Sequence, residues 1–296
     1  KSNIDIVLLQ ETKINLAGVE KRKHYTIFFS ENENIKDEGG NTCQYTYAGV
    51  AIMIKNNLID TIMEINPRDD RLMSITLRGS VHTTFINCYM ETAENSDRNH
   101  ERYNLLGEQL NKYKKLGPTF IGGDMNARIQ QGLEMDSETI VGKFTFDKNY
   151  PDDAKDEGIQ LNRELLIGFC AENNMIISNT MFEKPDEKLC TYKGPKSDLA
   201  EYKKGKITRS NNYDTKDYWL TLNRWKNSVC DCESEVNANV SSDHFPLIIE
   251  ICTKLKARKQ ERRGPRMKFA EESKEERKKY NELILKKFEN IKTDNN

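Results

Sequence analysis

The chain has 296 residues, 36% hydrophobic and 31% charged, with a net charge of −1. That length suits one large α/β domain or two small ones with a sizeable core, and the polarity excludes a chain that is disordered throughout. No apolar run approaches the roughly 20 residues a membrane span needs. The charge is unevenly placed: residues 253–296 hold 15 lysines and arginines against 8 acids, about +7, which leaves about −8 for residues 1–252. An acidic body does not suit a protein that coats nucleic acid through a basic face. It suits one that concentrates carboxylates for a metal.

The opening segment, KSNIDIVLLQ, has too short an apolar run for a signal peptide and is followed by acid, so it reads as a strand. Short β-type runs then recur at residues 4–10, 48–55, 71–78, 83–90, 119–125, 175–180, 216–222 and 245–251, rich in β-branched and aromatic residues. Alternating and continuous apolar patterns are mixed among them, which predicts two mixed sheets packed face to face, covered outside by helices, in a four-layer α/β sandwich. Two segments read as helices. NHERYNLLGEQLNKYKKLG puts Tyr103, Leu106, Leu110 and Tyr113 on one stripe and stops at Gly117-Pro118. GIQLNRELLIGFCAENN puts Leu161, Leu165 and Phe169 on another and exits at Asn173-Asn174. Segments 30–46 and 183–215 are polar and read as loops.

From about residue 254 the composition changes. A Gly-Pro break precedes a charged helical pattern in which Tyr280, Leu283 and Phe288 form a weak apolar stripe. The expected organisation is a globular domain over residues 1–253 and a basic linker with a helical tail over 254–296, with no internal repeat. The cysteine count is seven, an odd number with no C-x-x-C pair, and several lie inside apolar runs. They read as reduced thiols of an intracellular protein.

Four stretches share one pattern, an apolar strand ending in acids, amides or histidine: DIVLLQETK, TFIGGDMNARI, TKDYWLTL and VSSDHFPLI. Each alone is weak, since a Glu after a strand is usually solvated and Gly-Gly-Asp is ordinary turn chemistry. Together, in this order, they resemble the endonuclease/exonuclease/phosphatase superfamily: LLQETK is similar to its QET strand, GGDMNAR to its GDFNA turn, SSDHFPL to its SDH turn, and INCYM to its strand ending in tyrosine. Within it, NRELLIGFCAENNMIISNTMFEK, CTYKGP and NRWKNSV resemble the apurinic-type endonuclease domain of RTE-like non-LTR (LINE) retrotransposons. The resemblance runs from Asp5 to about Leu255.

It implies Mg²⁺-dependent phosphodiester hydrolysis, with Mn²⁺ as a substitute. Glu11 is the implied main metal ligand and Asp243 a nearby one, both hard oxygen donors that suit such an ion. Asp124 would orient and deprotonate the attacking water. Asn126, neutral and two residues on, would donate to a phosphate oxygen without repelling it. His244 would donate to the non-bridging oxygen as charge grows, with Asp217 fixing its tautomer and raising its pKa. Tyr89 offers a phenol to the phosphate or the leaving group. The implied partners are DNA and a reverse transcriptase of the same element, in a monomeric, nuclear protein with no membrane contact.

Three departures from the family pattern stand out, one being that no reverse transcriptase segment is read after the domain. The family's first strand, which carries an asparagine, has no counterpart, because the chain starts three residues before IDIVLLQ. Lys216 replaces an apolar residue next to Asp217 and is expected to disturb that strand. Besides target-DNA nicking, two readings stay open: an abasic-site repair endonuclease or other phosphoesterase on the same scaffold, and an inactive retroelement-derived fragment.

Overall fold

In a computed structural model the described residues are 4–14, 17–30, 48–130, 139–146, 156–195, 197, 207–208, 212–238 and 240–256, with 275, 278–279 and 281–283 of the tail. Contacts divide the chain into one unit over Lys1–Arg258 and another over Lys259–Asn296. The described tail residues are helical and exposed, Leu283 among them, while Tyr280 and Phe288 lie outside the described residues. Apart from Ser30, so does the expected loop at 30–46.

Two large sheets make the centre of the first unit. One has four strands, β1 (Ile6–Leu9), β2 (Gly18–Lys21), β3 (Tyr25–Phe29) and β4 (Ala51–Lys55), in the order β1-β4-β3-β2. All its pairings are antiparallel. The other has six: β5 (Ile62–Asp69), β6 (Leu72–Leu77), β7 (Thr83–Tyr89), β8 (Thr119–Asp124), β9 (Met175–Ile177) and β12 (Asp217–Leu222), in the order β5-β6-β7-β8-β12-β9. This sheet is mixed, because β7 and β8 run parallel. The crossover between them holds the helix α1 (Asn99–Tyr113), as a parallel connection requires.

β6 and β7 are buried at every position, and apart from Asn87 they read as continuous apolar or hydroxyl-bearing runs. One face of the six-stranded sheet packs Met73, Ile75, Phe85 and Phe120 against Ile52 and Ile54 of the other sheet. The opposite face packs Ile86, Ile121 and Leu220 under α1 and α2 (Glu157–Glu172). The α1 stripe is the expected one, with Tyr103, Leu106, Leu110 and Tyr113 all buried. In α2 the buried stripe is Asn162, Leu166, Phe169 and Cys170, one position round from the expected Leu161–Leu165 line, which is only partly covered. Asn162 draws the helix round, since its side chain binds the loop that follows β8.

The expected loop at 183–215 carries structure of its own: a single helical turn α3 (Asp186–Leu189) and the two-stranded pair β10 (Tyr192–Lys193) and β11 (Tyr213–Asp214). A further pair, β13 (Val229–Ser234) and β14 (Leu247–Ile251), packs Val229, Ile249 and Ile251 onto the core between the sheets.

Candidate active site

Tyr89, Asp124 and Asp217 form a row across three adjacent strands. The parallel register of β7 and β8 sets Tyr89 opposite Asp124, and the antiparallel register of β12 and β8 sets Asp217 opposite the same residue. Register partners point to one face of a sheet, here the face toward the four-stranded sheet. The approach to Asp124 depends on Gly123, at φ 151°, where a Cβ would fall on the Cys88 carbonyl of the neighbouring strand.

Glu11 arrives from the other sheet. Past Leu9 the chain leaves β1 in a turn with Glu11 at φ 51° and Lys13 at φ 57°. The amides of Thr12 and Lys13 donate to the carbonyls of Gly49 and Ala48 at 3.0 and 2.8 Å. Gly49, at φ 91°, sits so close that a Cβ would strike the Thr12 hydroxyl. The fully buried Asn87 pins this exit: it accepts from Gln10 at 2.6 Å and donates to the Leu9 and Ala51 carbonyls at 2.9 Å each. The exposed Glu11 carboxylate then accepts a hydrogen bond from the Tyr89 hydroxyl at 2.8 Å. Burial, and next the bond to Glu11, push the Tyr89 phenol well above its ordinary range, so it keeps its proton as a donor. The Arg71 guanidinium lies 4.5 Å from the centre of the Tyr89 ring and pairs with Glu91 at 3.1 Å.

The 242–245 turn is held by β10. The Lys193 amide donates to the Asp243 carbonyl at 2.9 Å and the Phe245 amide to the Thr191 carbonyl at 2.7 Å, so Tyr192 and His244 stand as bridge partners, rings 5.1 Å apart. Thr191 also accepts from the amides of Lys216 and Asp217 at 3.0 and 3.1 Å, which joins β10 to the start of β12. Lys216 therefore does not disturb the strand. It lies just outside it, with Nζ 3.7 Å from the centre of the Tyr192 ring. His244 Nδ1 bonds Asp217 Oδ2 at 2.9 Å, and Nε2 lies 3.9 Å from Asp124 Oδ2. The Asp243 carboxylate is exposed on the rim, and its charge contributes to raising His244.

Asp124 is 4% exposed. Burial, with the Asp217 charge second, pushes its carboxyl up to about 7 against the opposing pull of His244, the Asn126 amide and Lys216. For His244 burial alone would lower the pKa. The charge and hydrogen bond of Asp217 outweigh it, and the imidazole rises to about 9. At neutral pH the site thus holds a protonated imidazole beside a carboxyl poised to gain or lose a proton.

Asn126 follows in a left-handed turn, φ 46°, with its amide bonded to Asp124 Oδ1 at 2.9 Å. Its side-chain nitrogen donates to the Met90 carbonyl at 2.9 Å, so one of its two amide hydrogens is committed to the protein. Behind the turn, Asn162 of α2 donates to the Asn126 and Glu91 carbonyls at 3.0 and 3.1 Å, and Asn99 of α1 donates to Asn162 at 2.7 Å. These two buried asparagines, with Thr191 and Asn87, position the site and escape sequence reading, because no local pattern separates them from ordinary helix or strand residues.

Among the seven expected residues, Glu11 meets Tyr89, and Asp124 is linked to Asn126, Asp217 and His244. The Tyr89–Asp124 register pair joins the two sets, and the backbone of Asp243 is bonded beside His244. The donor chemistry fits a hard cation: Glu11 and Asp243 are exposed oxygens at the rim. Among the described residues no three acid, imidazole or thiol groups form a metal cluster.

The chain is similar to several known proteins. Craniofacial development protein 2 of Bos taurus is 26% identical over 259 residues, 86% of this chain and 37% of that protein, so the chain spans little more than a third of that relative's length. The catalytic domain of APE2 from Xenopus laevis shares the fold at a TM-score of 0.60 and 17% identity, over 87% of this chain and 86% of that one. An AP endonuclease from Archaeoglobus fulgidus does so at 0.55 and 18%, over 83% and 88%. The family model for the endonuclease/exonuclease/phosphatase family matches residues 1–244, a span that takes in Glu11, the Asp124 turn, Asp217 and His244, and the chain belongs to that family.

Proposed function

We propose that the chain hydrolyses phosphodiester bonds of DNA with a divalent ion, as the target-nicking endonuclease of a LINE-type retroelement. The observation that carries the hydrolytic reading is the row of Tyr89, Asp124 and Asp217, with His244 against it and Glu11 bonded to Tyr89. The retroelement reading rests on the NTMFEK, CTYKGP and NRWKNSV stretches.

The roles follow from the protonation states. Asp124, with its carboxyl near neutrality, orients the attacking water through Oδ2 and takes its proton, while Oδ1 is held by the Asn126 amide. The remaining amide hydrogen of Asn126 is offered to a phosphate oxygen. His244, kept charged by Asp217, donates through Nε2 to the non-bridging oxygen as negative charge grows. Tyr89 directs its single proton at Glu11 and so orients that carboxylate, which leaves its oxygen rather than its proton to face the phosphate or leaving group. Glu11 and Asp243 would hold Mg²⁺ or Mn²⁺, which supplies neutralisation of the phosphate and stabilisation of the leaving oxygen. A reverse transcriptase of the same element is the proposed partner, and the nucleus the proposed place of action for a monomeric protein.

Supercoiled plasmid, abasic duplex and inositol phosphate, each with and without Mg²⁺, test the proposal. Plasmid nicking that Glu11→Ala and Asp124→Ala each reduce by about 10²-fold or more is the expected result. Cleavage of the abasic duplex alone would instead favour repair chemistry. No turnover of any substrate, with a melt that Mg²⁺ leaves unchanged, would mark an inactive fragment.

A further inference from the structure

Two exposed thiols face each other on the outer surface of the β13–β14 pair. The register shifts between Val229 and Asp231, which makes Cys230 the extra residue of a bulge. The bulge lets Val229 and Cys232 both point into the core while Cys230 turns outward. Cys252, one residue past β14, donates its amide to the Ser228 carbonyl at 2.8 Å and so shares the outward face, diagonal to Cys230. Diagonal partners in a regular antiparallel ladder stand about 7 Å apart, too far for short side chains to meet. Here the two sulfurs are 2.8 Å apart. Cys88, Cys170, Cys190 and Cys232 are buried, so among the described residues these are the two thiols an oxidant can reach. The absence of a third nearby ligand among the described residues argues against a soft-metal site.

We infer that Cys230 and Cys252 form a redox-responsive pair that closes to an intrachain disulfide when it meets glutathione disulfide. The thiolate of one cysteine attacks a glutathione sulfur and expels one glutathione thiolate. The second cysteine thiolate then attacks the protein sulfur of the mixed disulfide and expels the other. The two protons released by the cysteines end on the two glutathione products, and the two electrons the cysteines lose reduce the glutathione disulfide. The hydrogen bond to Cys252 raises the Cys230 pKa, so closure speeds up with pH. The ring closed between 230 and 252 contains Ser242, Asp243 and His244, so the cross-link ties together the two strands from which that turn projects. The inference rests on strand geometry alone and stands apart from the proposed reaction.

The test treats the full chain with glutathione disulfide, quenches with acid, alkylates, and digests without reduction. The expected product is one linked peptide pair carrying Cys230 and Cys252, reversed by reductant, in a protein whose melting temperature rises by roughly 5–10 °C on oxidation. Cys230→Ser and Cys252→Ser should each abolish the linked pair and leave a glutathione adduct on the remaining cysteine. Full alkylation of both thiols after oxidation, or linkage of either to Cys43 or to a second chain, would overturn the inference.

Discussion

Asp217→Asn separates the charge of Asp217 from its place in the strand. The isosteric amide keeps a polar partner for His244 Nδ1 but removes the charge that lifts the imidazole to about 9. With burial then opposed only by the lesser charges of Asp124 and Asp243, the pKa falls toward the ordinary 6.5. At about pH 8 the protonated fraction drops from roughly nine-tenths to about 3%, a ~30-fold loss of rate if charged His244 is the donor. The same change lowers the Asp124 pKa from about 7, because the Asp217 charge is its second largest cause. Both limbs of the pH–rate profile should therefore move toward acid: the rising limb from about 7, where Asp124 loses its proton, and the falling limb from about 9, where His244 loses its own. Single-turnover plasmid nicking across this range reads the limbs, and imidazole NMR titration against a His244→Ala control reads the histidine directly. Stability gives a third signal. His244 has a raised folded pKa, so its contribution is fully present below 6.5 and is lost as pH rises through about 9, a slope the variant should lack. A falling limb that stays at about 9 in Asp217→Asn would refute the charge argument.

Tyr89→Phe removes the hydrogen bond to Glu11, worth about 1.5 kcal/mol to a charged acceptor, so half-maximal nicking should need about tenfold more Mg²⁺ with little change at saturation. Asn162→Ala removes the side-chain donor to the Asn126 carbonyl and leaves Asn99 as the side-chain donor to the Glu91 carbonyl. It should cost about 2–3 kcal/mol in a denaturant melt and lower the turnover rate without raising the Mg²⁺ requirement. Gly123→Ala drives a methyl onto the Cys88 carbonyl at a backbone angle that disfavours side chains, and should cost about 3 kcal/mol or more, read as a large drop in melting temperature.

The central strands are legible because burial on both faces demands long β-branched and aromatic runs: the expected 83–90 and 119–125 became Thr83–Tyr89 and Thr119–Asp124. Tyr25–Phe29 is also an aromatic and β-branched run, so its strand signal was available. Ile62–Asp69 hides behind Pro67 and polar residues, as an edge strand can. Val229–Ser234 hides behind its bulge, which breaks the alternation of period two. The acids and histidine of the site are readable because they end strands in a familiar order. What holds them is not: Thr191 just before a two-residue strand, and Asn87, Asn99 and Asn162 in the interior, gain their meaning from partners 25 to 78 residues away.

The pairing of β12 with β8 has a consequence for how activity can be lost. Asp217 faces one layer of the molecule and its neighbour Tyr218 the other, where it packs among Tyr103 and Leu166. A slip of one residue would send the carboxylate into that oily layer and bring the phenol out toward His244. Catalytic competence and correct strand alignment would then arise in the same folding event, and a compact misaligned species, however well populated, would be inert.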